Sequence, residues 1–325
     1  MLKSTEGTRS GLQKAVLQGS FSSWKSSMKK DRAFLIMCLP TILYFLIFAY
    51  LPMPGIYVAF TNFNYAKGIF GSPFVGLDNL KFITMSGKLG LLVRNTVLYN
   101  LAFLVTSHVL QITIAILLNE IRSKKFRKLS QSFIILPNFI SYVLVGLFSF
   151  AIFNSTNGIL GDILARLGRE NVSVYSMPSA WPAILVLVNL WKGAGYGSIV
   201  YFAALTGMDH EILEAAQVDG ASTIQRIRYI TLPSLKPTLI ILVLLSIGGI
   251  LRGNFDLFYN MVGSSNVILH GSTDVLETYV FRAMTNNFQF STAAAVSFVQ
   301  SVFGFILVLT TNAIVKKVEP DYALF

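Results

Sequence analysis

Five polar side chains lie close together in a part of the sequence that is otherwise apolar: Arg252, Asn254, Asp256, Tyr259 and Asn260. Amide and carboxylate groups pair with hydroxyls, and an aromatic face covers the C–H side of a sugar ring. Polar groups inside a membrane span are costly and usually face a cavity. The cluster therefore predicts the lining of a path for a sugar. A second interpretation stays open, in which Arg252 and Asp256, four positions apart, pair on one helix face.

Lys192, beside Trp191, is a second candidate for this path, because an ammonium group in the outer half of a span can meet an anionic sugar. Two other interpretations of Lys192 carry equal weight: it reaches the membrane edge, or it forms a salt bridge inside the helix bundle. Asn138, Tyr142 and Asn100 are weaker candidates for the same path.

Residues for covalent or metal chemistry are sparse in this sequence. The three histidines, His108, His210 and His270, are scattered, and Cys38 is the single cysteine, which excludes a disulfide framework or a thiolate metal site. The phosphate-binding pattern G-x-x-x-x-G-K-[S/T] does not occur. We therefore expect no catalytic residues, no metal and no ATP hydrolysis by this chain itself.

Composition indicates where these residues must lie. Of 325 residues, 54% are hydrophobic and only 13% are charged, and the mean hydropathy is +0.62. Average soluble domains carry about 25% charged residues. The composition therefore predicts a membrane protein with several spans.

Six segments have about the length and apolarity that a membrane-spanning helix needs. They are Ala33–Leu51, Leu91–Leu118, Phe133–Phe153, Trp181–Leu205, Thr238–Ile250 with a continuation to Val262, and Ala293–Val315. The fifth segment is the least regular, because it becomes polar half way. Gly193 and Gly197 form a small-xxx-small pattern in the fourth, which is typical of helix packing.

Basic residues alternate along the loops. They are dense in the first 32 residues, between 122 and 128, between 226 and 236, and at 316–317, and they are sparse in the loops between. Because Lys and Arg stay preferentially in the cytoplasm, both termini are predicted to lie there. This placement also disfavours nucleic acid as the reason for the net charge of +11. The predicted organisation is a basic cytoplasmic arm (1–32), a six-helix domain (33–318) and a short tail (319–325).

The cytoplasmic loop 206–237 is a polar island in this apolar chain. Asp209 is a typical N-cap before "HEILEAAQV", and Gly220 supplies the conformational freedom of a helix stop. A second short helix is predicted from Ser222, ending at Pro233. Pro237 then lies in the first turn of the fifth span, where proline is tolerated.

The spacing within this loop is specific: Glu214-Ala215-Ala216, three residues, Gly220, nine residues, Ile230, one residue, then Leu232-Pro233. It resembles the signature loop of the permease subunits of binding-protein-dependent ABC importers. The stretches "NLWKGAGYGSIVYFAALTGMDHEILEAAQVDGAS", "PMPGIYVAFTNFNY", "SPFVGLDNLKFI" and "FSTAAAVSFVQSVFGFILV" resemble the carbohydrate group of this family. The likeness runs from about Phe34 to Lys317. Within the group it is greatest to subunits for oligosaccharides or polysaccharide fragments, alginate and uronate oligosaccharides among the candidates.

The resemblance implies an all-α membrane protein of the type I importer permease fold, which moves its substrate by alternating access. The loop would be a coupling helix that docks in a cleft of a cytoplasmic ATPase, with Glu214 making polar contact there. The residues carried over to this coupling role are Glu214, Ala215, Ala216, Asp219, Gly220, Ile230, Leu232 and Pro233. An Asn in the family's fifth span contacts sugar, and "GNF" matches that motif at Asn254.

The resemblance also implies partners. They are a second permease, usually a different chain, two copies of the ATPase that binds ATP and Mg, and an extracytoplasmic solute-binding protein. No cofactor is expected in this subunit. An ion-coupled secondary sugar transporter is the alternative, although such proteins normally bury carboxylates in several spans and here only Asp256 is a candidate. A membrane-embedded enzyme would need facing acids or histidines, which the sequence lacks.

Overall fold

The computed structural model describes residues 32–154, 158–168, 173–263 and 266–318. Within these ranges the backbone is helical, and the β-structure consists of isolated bridges, Thr61 to Phe74 and Asn64 to Gly68. The chain divides into two compact units, Met1–Tyr57 and Val58–Phe325. The predicted arm and tail lie almost entirely outside the described residues.

The helices vary widely in length. The α-helices are α1 (Arg32–Phe45), α2 (Asp78–Met85), α3 (Lys88–Glu120), α4 (Lys124–Ile135), α5 (Tyr142–Phe153), α6 (Ile159–Arg166), α7 (Trp181–Thr206), α8 (His210–Val218), α9 (Thr223–Ser234, including a π-turn at Ile227–Thr231), α10 (Lys236–Gly248), α11 (Phe255–Val262), α12 (Leu276–Thr285) and α13 (Phe290–Val318). Shorter pieces are a π-turn at Leu46–Tyr50, helical turns at Gly68–Gly71 and His270–Thr273, and 3₁₀ turns at Met53–Phe60, Leu136–Phe139, Val174–Ser176 and Val267–Leu269.

Four helical stretches are long and apolar enough to cross a membrane; they are Arg32–Phe60, Lys88–Glu120, Trp181–Thr206 and Phe290–Lys317. Two bent pairs pass the same test together. Lys124–Phe139 meets Tyr142–Phe153 at 88°, and Thr223–Ser234 meets Lys236–Gly248 at 52°. Counting each pair as one span gives six, so the described residues contain between four and six spans.

The third predicted span is wrong as a single helix. Phe133–Phe153 is interrupted at Ile140, where the backbone is extended, and Ser141 starts α5 afresh by accepting the N–H of Leu144 at 3.3 Å. The fifth predicted span is also interrupted, because α10 ends at Gly248 and a non-helical segment precedes α11. The second interruption coincides with the point at which the fifth segment becomes polar, whereas the first lies between Asn138 and Ser141 in an otherwise apolar run.

The helices α3 and α7 form the central pair, and they run parallel. Asn189 donates to the hydroxyl of Ser107 near the middle of the pair, and the hydroxyl of Tyr201 lies 2.8 Å from Nδ1 of His108 further along. Two apolar clusters fill this pair at different levels. One surrounds the fully buried Trp181 and Leu185 near the start of α7, and the other surrounds Tyr201 and Leu205 near its end.

Glycines allow close helix packing, although not at both of the predicted positions. A Cβ at Gly193 would meet nothing within 4 Å, so the packing role predicted for it is wrong. A Cβ at Gly197 would lie 2.2 Å from the amide nitrogen of Gln111, and one at Gly195 would lie 1.9 Å from the carbonyl oxygen of Ile134. Gly195 is therefore what lets α4 approach α7.

Helices α10, α11 and α12 of the second unit contact the central pair. α11 packs on α5, α12 packs on α13, and α10 also packs on α13. Ahead of α12, the buried carboxylate of Asp274 is held by the guanidinium of Arg282 at 2.5 Å and by the hydroxyl of Thr278 at 2.7 Å. This carboxylate tolerates burial because both its oxygens are paired.

Candidate functional site

The hairpin formed by α8 and α9 (residues 209–234) begins with the predicted cap. The carboxylate of Asp209 accepts the N–H of Glu211 at 2.9 Å. At the other end of α8, Gly220 has a φ of +82°. The N–H of Ala221 reaches back to the carbonyl oxygen of Ala216 at 2.9 Å, and that of Gly220 reaches Gln217 at 3.1 Å. These two bonds are those of a Schellman motif, which requires a left-handed residue at the glycine position.

The second helix of the hairpin starts with a capping box. Ser222 and Gln225 exchange hydrogen bonds, the backbone N–H of Ser222 donating to the amide oxygen of Gln225 at 2.7 Å. The helix does not end at Pro233, as the sequence predicted, because the helical backbone continues to Ser234. The change of direction comes at Leu235, and Pro237 lies in the first turn of α10 as expected.

The hairpin presents apolar and acidic side chains to its surroundings. Val218 is 87% exposed and Ile224 is 77% exposed. Glu214 is exposed, and the hydrogen bonds and ion pairs of the described residues give its carboxylate no partner. Leu235, by contrast, is only 1% exposed and packs in the cluster of Tyr201 and Leu205. The hairpin is thus fastened to the bundle at its base while its tip stays open.

The predicted hairpin residues differ in exposure. Ala215, Asp219 and Gly220 are exposed, as are Leu232 and Pro233, whereas Ala216 and Ile230 are half-buried. A cavity of about 310 Å³ lies at the elbow, beside Gly220 and Ile230. Arg226, which the sequence reasoning did not single out, reaches across this elbow to the amide oxygen of Gln217 at 3.4 Å.

The polar cluster of the fifth predicted span lies around the interruption between α10 and α11. Arg252 belongs to the non-helical segment, whereas Asp256 lies in the first turn of α11. The helical i,i+4 geometry that would pair them is therefore absent. Among the ion pairs of the described residues, Arg282 to Asp274 and Lys81 to Asp78, none joins Arg252 to Asp256. The alternative in which they pair is wrong for this structure.

A polar cavity of about 330 Å³ lies between α3, α7 and this interruption. Its polar lining consists of Asn100, Ser107, His108, Gln111, Asn189, Ser246, Arg252 and Asn254. Three of these, Asn100, Arg252 and Asn254, are sequence candidates, whereas Asp256 is not part of the lining. The stripe at 100, 107, 108 and 111 follows helical periodicity, so counting polar positions along α3 could have found it.

A second cavity, of about 670 Å³, lies on the other side of the interruption, between α10, α12 and α13. Arg252 lines it too and is the one residue that both cavities share. Glu277, missed by the sequence reasoning, faces Arg252 there and interacts with the side chain of Gln300 and with the backbone of Gly253. The interruption therefore places one guanidinium between two cavities.

Two of the sequence candidates contact each other directly. The amide nitrogen of Asn254 donates to the hydroxyl of Tyr142 at 2.7 Å, and its amide oxygen accepts the N–H of Leu257 at 3.2 Å. Asn254 is thus the N-cap of α11 as well as part of the cavity wall. Its contact with Tyr142 joins the interruption before α11 to the start of α5.

Similarity to a known family shows what kind of protein carries these features. Residues 111–323 match the family described as binding-protein-dependent transport system inner membrane component. The chain belongs to this family.

Individual relatives show which group within this family the chain resembles. The chain is 33% identical to protein LplB of Bacillus subtilis, with 93% of this chain and 94% of LplB covered. It is also 33% identical to YteP of Bacillus subtilis, a polygalacturonan/rhamnogalacturonan transport system permease protein, with 87% of each covered. A solved bacterial ABC transporter for import of the acidic polysaccharide alginate contains a chain with a TM-score of 0.81 and 30% identity, which covers 92% of this chain and 99% of that one. The chain is a carbohydrate ABC importer permease.

The other polar candidates of the permease mainly pack within it. The ring of Tyr259 stacks on Phe255 with centroids 5.0 Å apart and meets Phe281 edge-on at 5.1 Å. The side chain of Asn260 donates to the carbonyl oxygen of Asp256 at 2.7 Å. Neither Tyr259 nor Asn260 lines the two cavities on either side of Arg252.

Lys192 of the permease takes a position that none of its three interpretations foresaw. The side chain is 7% exposed, and its Nζ donates to the carbonyl oxygens of Ile140 at 2.5 Å, Asn138 at 2.8 Å and Pro137 at 3.4 Å. It forms no ion pair among the described residues and does not reach an exposed surface. The salt bridge and the membrane-edge position are therefore both wrong, while Trp191, next to it, is 47% exposed.

Proposed function

We propose that the permease is the membrane-spanning subunit of an ATP-driven importer. In this role it moves an oligosaccharide or polysaccharide fragment, delivered by a solute-binding protein, across the bacterial cytoplasmic membrane by alternating access. The observation that carries the proposal is the α8–α9 hairpin. It is followed by the buried Leu235, whereas its tip exposes apolar side chains and Glu214, whose carboxylate has no partner among the described residues. Exposed apolar groups rimmed by polar ones are typical of a docking surface.

In the proposed complex, α8 is the coupling helix. Glu214 makes polar contact in a cleft of the ATPase, and Ala215 and Ala216 form the low surface that seats there. Asp219 and Gly220 form the turn at the end of the helix. The remaining coupling residues connect that turn to α10; they are Ile230, Leu232 and Pro233. Closure of two ATPase copies on ATP would then draw the hairpins of two permeases together and tilt the helices fastened to them.

The proposed orientation follows from the basic residues. With six spans and the dense Lys and Arg segments inside, both termini and the hairpin lie in the cytoplasm. In this orientation the hairpin, the segment 122–128 and residues 316–317 all lie on the cytoplasmic side. The basic arm, 1–32, is proposed to be cytoplasmic as well.

The substrate path is proposed to run past Arg252. The cavity of about 330 Å³ offers amide and hydroxyl groups from three helices, which suit sugar hydroxyls. A guanidinium binds carboxylates in a bidentate manner, so Arg252 suits a uronate. The solved alginate transporter and the polygalacturonan permease of Bacillus subtilis support an acidic oligosaccharide as the cargo.

The proposed partners are a second permease, two ATPase copies that bind ATP and Mg, and an extracytoplasmic solute-binding protein. A solved alginate transporter in complex with a periplasmic protein that carries an alginate pentasaccharide supports the last of these. That neighbour has a TM-score of 0.80 and 30% identity to this chain. Among the described residues, no group of three His, Cys, Asp or Glu side chains could hold a metal ion.

The test replaces Glu214 by alanine in the transporter reconstituted with its co-purifying subunits. Glu214→Ala should lower the stimulation of ATP hydrolysis by loaded binding protein by tenfold or more, since hydrogen bonds to a charged group are among the stronger ones. Assembly should be unaffected, because the carboxylate has no partner within the described chain. Glu211→Ala is the matched control, with the same charge change on the same helix outside the coupling spacing.

Equal ATPase stimulation in wild type and Glu214→Ala would contradict the coupling role. Uptake that proceeds without ATP, driven by an ion gradient alone, would instead support a secondary sugar transporter. Both measurements use the same proteoliposomes.

A further inference from the structure

The buried ammonium of Lys192 is bonded by backbone carbonyl oxygens and not by groups that would leave it free to bind a substrate. A protonated lysine has three N–H donors and no acceptor. Three carbonyl oxygens, those of Pro137, Asn138 and Ile140, lie within 3.4 Å of Nζ. In this structure, all the donors of Lys192 are accounted for by the backbone of the segment that joins α4 to α5.

These carbonyls lie at the interruption between α4 and α5, and that of Pro137 also accepts the backbone N–H of Ile140 at 3.2 Å. The chain bends there by 88°, and Ile140 is extended. Inside a membrane, carbonyls freed by a helix break must be satisfied by neighbouring groups, and a lysine near a helix end both bonds them and opposes the helix dipole. Lys192 of α7 therefore supports the break in the neighbouring span.

The contact continues from Lys192 to a second break. Nζ lies 4.7 Å from the ring centroid of Tyr142, a distance typical of a cation–π contact. The hydroxyl of Tyr142 accepts the amide N–H of Asn254 at 2.7 Å, and Asn254 caps the first turn of α11. One side chain of α7 is thus linked, through two residues, to the breaks of two other spans.

The second break carries part of the wall of the 330 Å³ cavity. Arg252, Gly253 and Asn254 line that cavity, whereas Lys192 lines neither it nor the cavity of 670 Å³. α11 is also held to α5 where a Cβ on Gly146 would lie 2.3 Å from the carbonyl oxygen of Asn260. With α11 fixed to α5, the position of Asn254 follows that of Tyr142.

We propose that Lys192 is a positioning residue, which holds the break between α4 and α5 and, through Tyr142 and Asn254, sets the start of α11 and the cavity wall beside it. It acts through these residues and does not bind the cargo. The proposal differs from a general packing role because it is directional: Lys192 supports both breaks, whereas the Tyr142 hydroxyl supports only the second.

Hydrogen–deuterium exchange of the full-length chain, purified with the subunits that accompany it, tests this direction. Lys192→Met should speed exchange by about tenfold or more in two segments, 138–145 and 255–259, since it removes a charged hydrogen-bond donor. Tyr142→Phe should speed exchange at 255–259 alone, because it keeps the ring beneath the ammonium and removes only the hydroxyl. Lys192→Arg, which keeps a charged donor, should stay closer to wild type than Lys192→Met.

Two matched controls lie on exposed positions of α7: Leu187→Met, at a residue 64% exposed, and Tyr196→Phe, at a residue 59% exposed. Neither should change exchange in the two segments. Unchanged exchange in Lys192→Met would overturn the proposal, as would faster exchange at 138–145 in Tyr142→Phe. If Lys192→Met does not accumulate, the exchange pattern of Tyr142→Phe still tests the proposed direction, because faster exchange at 138–145 would contradict it. The readout needs no transported sugar, so its outcome is independent of the proposed cargo.

Discussion

Substitution of Gly220 separates backbone strain from crowding at the elbow of the α8–α9 hairpin. The residue has a φ of +82°, and a Cβ built on it meets nothing within 4 Å. In this chain, a side chain at position 220 is therefore penalised only through its backbone conformation. An ordinary residue in the left-handed region costs about 1–2 kcal/mol, and asparagine tolerates that region better than alanine does.

This penalty predicts a graded series rather than a single loss. Gly220→Asn should be mildest, Gly220→Ala intermediate and Gly220→Val worst, because a β-branched side chain fits a positive φ least well. A cost of 1–2 kcal/mol changes the population of the native turn by roughly 5- to 30-fold. Coupling in Gly220→Ala should fall by a factor in this range if the ATPase recognises only the native turn.

The assay is ATP hydrolysis by the reconstituted transporter with and without loaded binding protein. Thermal unfolding of the purified complex is the control, and it should shift little because the elbow is exposed. The opposite order, with alanine milder than asparagine, would refute the reasoning, since it would mean that side-chain size against a partner limits this position. Full coupling in all three variants would also refute it.

Two further pairs of substitutions test the helix packing and the substrate path. Gly195→Ala should greatly reduce the amount of folded permease, because its Cβ would lie 1.9 Å from the carbonyl oxygen of Ile134, whereas Gly193→Ala should be tolerated in the same detergent-stability assay; equal yields would contradict the helix contact. Arg252→Ala should lower uptake of a uronate trisaccharide into proteoliposomes by about tenfold or more, whereas Asp256→Ala, outside both cavities, should keep uptake within about twofold; equal losses would place the path elsewhere.

The uninterrupted helices were predictable because their signal is local. α3, α7 and α13 each begin and end within a few residues of the predicted apolar segments. The elbow of the hairpin was predictable for the same reason, since a glycine at φ +82° is what a helix stop there demands. The length, apolarity and capping residues that determine these elements are all found within the segment itself, so the local sequence is enough to predict them.

The break between α4 and α5 was not predictable, because what supports it is distant in sequence. Asn138 and Ser141 flank Ile140 but do not by themselves specify a bend of 88°. The ammonium that bonds the carbonyl oxygen of Ile140 belongs to Lys192, 52 positions later. From the sequence alone, a lysine in an apolar run is equally compatible with a ligand, a salt-bridge partner or a surface residue, since each of these roles compensates its charge. Only the fold shows that three backbone carbonyls do so instead.

The role of Asn254 is equally hard to assign from the sequence, because its residue type fits two roles. Its side chain type fits a sugar contact, yet an asparagine before a helix is also a strong N-cap, and here it caps α11 while also bonding Tyr142. The two roles do not exclude each other, because the amide nitrogen has a second N–H and the residue lines the polar cavity. A serine at position 254 could still cap the helix but would not reach Tyr142. A loss of uptake in Asn254→Ser with α11 exchange unchanged would therefore assign Asn254 to the cargo, and faster exchange would assign it to the wall.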